Sequence, residues 1–304
     1  MIRFLLIFAS ATVFVGSKGR AVEPTARDLF ARENLVAWCI VPFDAKRRSP
    51  EERAHMLRDL GFTKFAYDWR AEHVPTFDEE IVAMKRAGVE LTAWWFPAEL
   101  NDDARAILAA LARQDAKTQL WVSLDDAAPG NSDQSAKVAA AAAAIRPLAE
   151  AAARQGCSIG LYNHGGWFGR PENQVAIIDA LAMDNVGIVY NLHHGHDDLP
   201  RLGELLKVML PHLYAINLNG MDRDGERRGR KILPLGQGEL DLEVMRAIVE
   251  SGYRGPIGIL GHTKDDVALR LLDNLDGLDW LTAQFAGKKS ERPTPRTPVP
   301  AETK

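Results

Sequence analysis

The sequence predicts an α/β protein, a single-domain (β/α)8 barrel, because eight times between Asn34 and Trp280 a short apolar segment is followed by a helix-forming one. The apolar segments are continuous runs without strict alternation, the pattern of parallel strands covered by protein on both faces. Nearly every run stops at a polar or aromatic cluster, and in such a barrel the carboxyl ends of the strands build the active site. An open doubly wound sheet is the competing arrangement. The count of eight units and the lack of a glycine-rich phosphate loop after the first strand speak against it.

The first strand covers residues 35–41 and is ended by Pro42 and Asp44. Ser49-Pro50-Glu51-Glu52 then opens a helix, with serine as N-cap, proline in the first turn and a glutamate placed to bond back to the cap, and Gly61 stops it. Residues 62–69 form the second strand, and Thr76 caps a helix whose apolar positions Phe77, Ile81, Met84 and Ala87 recur at helical spacing up to Gly88. Strand three is 89–96, Asn101-Asp102-Asp103 starts the third helix, and 118–124 is strand four. The long helix at 133–155 contains an alanine run, 139–144, and Pro147, which is expected to kink or divide it. Strand five at 157–162 is followed by a helix beginning at Pro171-Glu172, and strand six at 186–190 by a mostly helical stretch, 198–213. Strand seven, 214–218, leads into the longest insertion, 219–240, and a helix at 242–251 that Asp241 is expected to cap. Strand eight, 255–260, and a helix at 265–285 close the ring.

At the front, Met1-Ile2-Arg3, the apolar run 4–16 and Gly19-Arg20-Ala21 make the tripartite pattern of a secretory signal cleaved after Ala21. The run is shorter than the roughly 20 residues that span a bilayer. The chain thus divides into a signal peptide (1–21), a lead-in (22–33), the barrel (34–286) and a proline-rich tail (287–304) expected to be disordered. Export to the periplasm or beyond is expected, without membrane association after cleavage. The formal charge is −4, and loss of Arg3, Lys18 and Arg20 takes the mature chain to −7, since −4 − 3 = −7. The densest basic stretch, 227–231, lies among Asp222, Asp224 and Glu226, a solvated loop and not a nucleic-acid footprint. Cys39 and Cys157 fall in strands one and five, across the barrel from each other, so they are expected to be buried free thiols. The oligomeric state is not legible.

Several strand-end clusters carry chemistry. Asp68, Trp69 and Arg70, with His73 beyond, combine a carboxylate, a flat ring and a guanidinium suited to a polyol. Trp94 and Trp95 point to opposite faces, so only one, taken as Trp95, can be a ligand platform. Asn163 and His164 leave strand five, and Asn191, His193, His194 and His196 leave strand six. That concentration of imidazoles marks His164 and His194 for acid–base work near neutral pH. Asn217 and Asn219 share a face by period two and can orient hydroxyls or a carbonyl, and His262 after strand eight completes the ring. The segment Leu235-Gly236-Gln237-Gly238-Glu239-Leu240-Asp241 reads chiefly as a chain reversal.

Three segments give the chain its resemblance to a known family: Gly160-Leu161-Tyr162-Asn163-His164, Ile188-Val189-Tyr190-Asn191-Leu192-His193-His194, and 235–241 followed by Gly252-Tyr253-Arg254-Gly255. They resemble the xylose isomerase-like TIM-barrel superfamily, the sugar phosphate isomerase/epimerase and endonuclease IV-like group. The resemblance implies one divalent cation held by a glutamate, an aspartate, a histidine and a glutamate on strands five to eight. Aligned by motif, those places fall here to Tyr162, Asn191, Asn217 and Leu260 or Gly261, and none matches. A hard cation needs several charged oxygens, so no cofactor is expected, although His164, His194 and His262 with Asp68 could assemble a transition-metal site. The family's two proton-shuttling glutamates are also missing. Its D-x-x-H histidine survives as His194.

The expected function is that of an exported carbohydrate-active enzyme moving a proton next to the carbonyl of a sugar or keto-sugar. His164 and His194 would be acid and base, with Asp68 and His262 as further acid–base groups. Arg70 would hold hydroxyls, Trp69 or Trp95 would stack on the ring, and Asn163, Asn191, Asn217 and Asn219 would orient the carbonyl or enediol. Elimination or hydration of a keto-sugar would use the same parts, and a non-catalytic sugar-binding barrel is the alternative. Action on abasic DNA lacks an acidic metal cluster and a basic face.

Overall fold

The computed structural model describes residues 26–126, 128 and 131–301 of the 304-residue chain. The expected signal peptide lies outside the described residues. Eight parallel strands close into a barrel in chain order, with β1 (Leu35–Trp38) bonded to both β2 (Lys64–Tyr67) and β8 (Ile257–Leu260). Between them run β3 (Glu90–Trp95), β4 (Gln119–Val122), β5 (Ser158–Tyr162), β6 (Val186–Asn191) and β7 (Leu213–Leu218). Every expected strand is present. Most are shorter than their apolar runs, because residues such as Ile40, Val41 and Phe62 are buried beyond the end of the ladder.

After a short lead helix α1 (Ala26–Leu29), the outer ring comprises α2 (Pro50–Asp59), α3 (Phe77–Ala87), α4 (Asp102–Arg113), α5 (Gln134–Ala153), α6 (Pro171–Leu181), α7 (Leu202–Met209), α8 (Asp241–Glu250) and α9 (Val267–Phe285). Ser49 and Glu52 form the expected capping box on α2, and Asn101 caps α4 by accepting from Ala104 N at 2.9 Å. Three local expectations need correction. Thr76 does not cap α3, since its hydroxyl donates back to the carbonyl of His73 at 2.9 Å. Pro147 does not divide α5, which runs unbroken from Gln134 to Ala153 and is anchored around the proline by the buried Ile145, Leu148, Ala149 and Ala152. Asp241 is the first residue of α8 and not its cap. Its carboxylate accepts from the N–H groups of Met221, Gly236 and Gly238 at 3.0, 2.7 and 3.0 Å, pinning the insertion between β7 and α8.

The core has two parts. One lies between strands and helices, where α2 meets α3 around a buried Arg53–Glu80 ion pair. The other fills the barrel axis with Val36, Trp38, Ala66, Ala93, Trp121, Tyr162, Val189, Ala215 and Leu260. The large aromatics fit because other strands are bare of side chain: a Cβ on Gly160 would lie 2.7 Å from Val189 Cγ2 and 2.9 Å from Trp121 Cδ1. The tail is irregular but makes specific contacts through residue 300. Thr297 is buried and bonds Asp273 through both N–H and hydroxyl, Arg296 pairs with Asp273 and Asp276, and Arg230 donates to the carbonyl of Pro300. The composition of 287–304 carries no signal for these contacts, because each is made by one polar group meeting a partner far away in sequence.

Candidate active site

The carboxyl ends of the strands surround a cavity of about 550 Å³. Its floor is aromatic. Trp38, at the end of β1, stands with its ring centroid 6.4 Å from Trp95 of β3 and 5.9 Å from Tyr162 of β5. The Tyr162 hydroxyl accepts from Trp38 Nε1 at 3.1 Å and from the amide of Asn191. Asn191 in turn accepts from the backbone of His193 at 3.1 Å, so the amide fixes both the phenol and the start of the histidine loop. As strand alternation requires, Trp94 turns outward into the α3 packing and Trp95 inward to the cavity.

One wall is built by the ends of β1 and β2. Asp68 is 3% exposed; its Oδ1 accepts from Val41 N at 3.1 Å, while Oδ2 is buried without a protein partner. Desolvation outweighs that hydrogen bond and the nearby Arg70 charge, and raises the carboxyl pKa from its ordinary 3.8 to about 7. Arg70 is exposed at the rim, its Nη1 donating to the carbonyls of Asp68 and Trp69 at 2.9 and 2.7 Å. Trp69 lines the cavity but is mostly packed against Phe77, its Nε1 bonded to the carbonyl of Trp95. Cys39 also lines this wall. It follows the inward Trp38 and would point outward in a regular strand, but its backbone has φ 54°, and it packs with the inward residues. Burial, then the Asp68 charge, pushes its thiol pKa well up.

The opposite wall comes from β5 and β6, and His262 after β8, beside β1, reaches it from the flank. The ring centroids of His164 and His194 are 4.4 Å apart, those of His193 and His194 4.4 Å, and those of His193 and His262 5.3 Å. Desolvation, followed by the neighbouring imidazoles and Lys231, lowers His193 and His194 to about 3, and desolvation followed by Arg70 lowers His262. At neutral pH these three imidazoles are uncharged.

Of the residues expected at the site, the structure brings Asp68, Trp69, Arg70, Trp95, His164, Asn191, His194 and His262 to one cavity. Asn163, Asn217 and Asn219 are not on its lining. Asn163 exchanges hydrogen bonds with the backbone N–H and C=O of Asn191, tying β5 to β6. Asn217 is fully buried in the barrel against Gly258, and Asn219 donates to the carbonyls of Gly220 and Lys231 in the insertion. His196 opens on a second cavity behind the insertion. Among the strand-end acids, Asp44 is spent on Arg48 in a two-pronged ion pair, and Asp125 and Asp126 are exposed outside the cavity. Sequence reasoning missed Trp38, Cys39, Phe43 and Tyr162 as lining residues and assigned no role to His193. Strand-end position alone could have found Phe43 and Tyr162. Nothing in the sequence announces the turned Cys39.

The positions where the family resemblance implies a divalent cation do not fit one. Tyr162 is a phenol held protonated by burial, Asn191 is spent on hydrogen bonds, Asn217 is a neutral amide and Leu260 is apolar. No three His, Cys, Asp or Glu side chains among the described residues converge as a metal cage.

A family model described as xylose isomerase-like TIM barrel matches residues 55–284. Among solved structures, the chain is similar to 3-keto-D-glucoside 4-epimerase from E. coli at 17% identity and a TM-score of 0.61, over 82% of this chain and 98% of that one. It is similar to the probable 3-DHS dehydratase of Bacillus anthracis at 13% identity and 0.62, over 81% and 98%. A xylose isomerase-like TIM barrel protein from Mycobacterium smegmatis, solved in complex with magnesium, matches at 17% and 0.53, over 86% and 99%. No curated protein matches the chain. At these identities the likeness shows the fold.

Proposed function

From the premise that this chain belongs to the xylose isomerase-like TIM barrel family, we propose that it is a sugar-processing enzyme in which Asp68 moves a proton at a carbon next to a carbonyl. The observation that carries this reading is the Asp68 carboxyl: buried, facing the cavity, with one oxygen unpartnered and a pKa of about 7. A group that is half protonated at neutral pH is the best compromise between holding the right form and driving the transfer.

In the proposed step Oδ2 takes the proton, the electron pair of the C–H bond becomes the new C=C bond, and the carbonyl π pair moves to the oxygen. That oxygen receives hydrogen bonds from imidazole N–H groups of His194 and His164. A neutral imidazole is a competent donor here and cannot itself be the acid, because His194 at about 3 carries no extra proton at neutral pH. The His164–His194 acid–base pair expected from the sequence is therefore replaced by one carboxyl acid–base group facing the neutral His194. Asp68 then returns the proton to the neighbouring carbon for isomerisation, as the hydroxyl proton there passes to the enediolate oxygen, or to a departing hydroxyl for dehydration; epimerisation requires in addition a proton donor on the opposite face of the enediolate. Trp95 and Trp38 supply the flat apolar surface on which a sugar C–H face stacks, and Asn191 holds Tyr162 and the histidine loop in place. Structural neighbours that include an epimerase and a dehydratase support chemistry of this class.

The test is carbon-bound proton exchange in D2O, followed by NMR over a set of aldoses, ketoses and keto-glycosides. Wild type should wash deuterium into one position of its substrate, and Asp68→Asn should abolish the exchange. Exchange that survives Asp68→Asn sinks the proposal. The neutral groups at the metal positions favour a second reading, a barrel that binds sugar without turning it over, which predicts binding without exchange. Export is a separate proposal, checked by whether the protein recovered from its native cell begins at Val22.

A further inference from the structure

Arg70 is the only arginine or lysine on the lining of the mouth cavity among the described residues. Its guanidinium is fixed but not neutralised. Nη1 donates to two backbone carbonyls, 2.9 and 2.7 Å away, and these acceptors hold the fork in place without cancelling its charge. No carboxylate among the described residues lies within ion-pairing distance of it. The guanidinium carbon stands 5.8 Å from the centre of the Phe43 ring, which packs on His262 at 3.9 Å, so the charge faces an aromatic and imidazole surface.

The other charged groups on the lining do not answer it. Asp68 is buried, with one oxygen unpartnered, and makes no ion pair with Arg70, and neither does Asp103. A hydroxyl from a neutral sugar would engage one N–H and leave the rest of the charge to water at the rim. A carboxylate matches the planar fork with two parallel hydrogen bonds. A single arginine suits one negative charge better than the nearly double charge of a phosphate monoester, which shares the oxyanion chemistry.

We propose that the substrate of this site is an acid sugar, a uronate or a keto-aldonate, whose carboxylate docks on Arg70. The proposal rests on reading the cavity as a sugar site. It makes Arg70 a specificity residue rather than one more partner for hydroxyls. Arg70 and Asp68 line the same cavity, so the anchored substrate lies in the mouth that holds the proton-transfer group.

The experiment is titration calorimetry of the mature protein with D-glucuronate, 2-keto-D-gluconate, D-glucose and D-glucose 6-phosphate, repeated on Arg70→Met and Arg70→Lys. The acid sugars should bind about ten- to a hundredfold more tightly than glucose, the worth of one charge-assisted bidentate contact. That preference should vanish in Arg70→Met and survive only in part in Arg70→Lys, which keeps the charge and loses the fork. Equal affinity for glucose and both acids, a preference that persists in Arg70→Met, or tighter binding of the phosphate ester overturns the proposal. The two readings fail separately. Acid sugars that bind through Arg70 but never exchange a proton leave the anchor standing and remove the enzyme. Turnover of a neutral keto-sugar, lost in Asp68→Asn and indifferent to Arg70→Met, does the reverse.

Discussion

The two walls of the barrel mouth are made of opposite chemistry and reach the same charge state. On the β1–β2 wall, burial raises a carboxyl to about 7; on the β5–β6 wall, it lowers two imidazoles to about 3. Desolvation disfavours whichever form is charged, so the acid keeps its proton more readily and the bases surrender theirs. The lesson is that His193 and His194, buried on the histidine-rich wall, do not titrate near neutral pH. A buried aspartate with one unpartnered oxygen does, and these two imidazoles become dipolar donors. Arg70 stays as the fixed charge between them.

The most damaging change to this arrangement is Asp68→Asn. The amide keeps the size of the side chain and its bond to Val41 N, but cannot cycle a proton, so kcat/KM should fall by about 10²- to 10⁴-fold with substrate affinity largely kept. In wild type, kcat/KM should rise with pH through an inflection near 7 as the carboxylate form accumulates. A profile whose inflection is untouched by the substitution would move the acid–base role to the other wall.

The same substitution has a stability signature whose sign is opposite for the two walls. Between about pH 4 and 7 the folded protein holds a proton on Asp68 that the unfolded chain has released, so this group costs stability progressively as pH rises and the cost is complete above 7. The three-unit displacement corresponds to roughly 4 kcal/mol. Relative to wild type, Asp68→Asn should therefore gain stability at pH 8 and gain nothing at pH 4, read as the difference between two urea-denaturation series. His194 works the other way. Its unfolded pKa lies above its folded one, so the contribution of the neutral ring is intact above about 6.5 and is lost as pH falls toward 3. His194→Gln should blunt that loss, shifting acid unfolding to lower pH. It should also reduce kcat/KM by about 10- to 100-fold through a missing hydrogen bond, while leaving the inflection near 7 where it was. Loss of the inflection in His194→Gln would mean that the imidazole, not Asp68, carries the proton.

Legibility in the sequence divides along the same physical line. The barrel was readable because each strand is a continuous apolar run and each helix has its own start signal, Ser49 and Asn101 among them. Strand-end position likewise brought Asp68, Arg70, Trp95, His164, His194 and His262 to one cavity. What could not be read is anything decided across the barrel. Asn163 looks like a ligand contact and is a clasp on the neighbouring strand, because only the β5–β6 register puts its amide against the Asn191 backbone. Asn217 and Asn219 are expected to share a face toward the substrate, yet Asn217 is buried in the barrel against Gly258 and Asn219, beyond the end of β7, is spent on carbonyls of the insertion. The exchange of roles between Asp68 and the histidines depends on how far each is desolvated, a property of the assembled mouth and not of residue type.

The smallest effect separates the walls by how their backbones are shaped. The β5 wall turns through Gly165 and Gly166 at φ 74° and 64°, a region glycine enters freely. The β1 wall makes a comparable turn with Cys39 at φ 54°, where a side chain is strained by about 1–3 kcal/mol. That strain is what brings the thiol to the cavity beside the inward Trp38, against the alternation of the strand. Comparing Cys39→Gly with Cys39→Ala isolates the backbone, since both remove the sulfur. Replacing alanine by glycine ordinarily destabilises a protein through the unfolded chain. Here the sign should invert, with Cys39→Gly more stable than Cys39→Ala by about 1 kcal/mol in thermal or urea unfolding. An alanine variant at least as stable as the glycine one would show that the turn at Cys39 carries no strain, and the two walls would then differ only in their titrating groups.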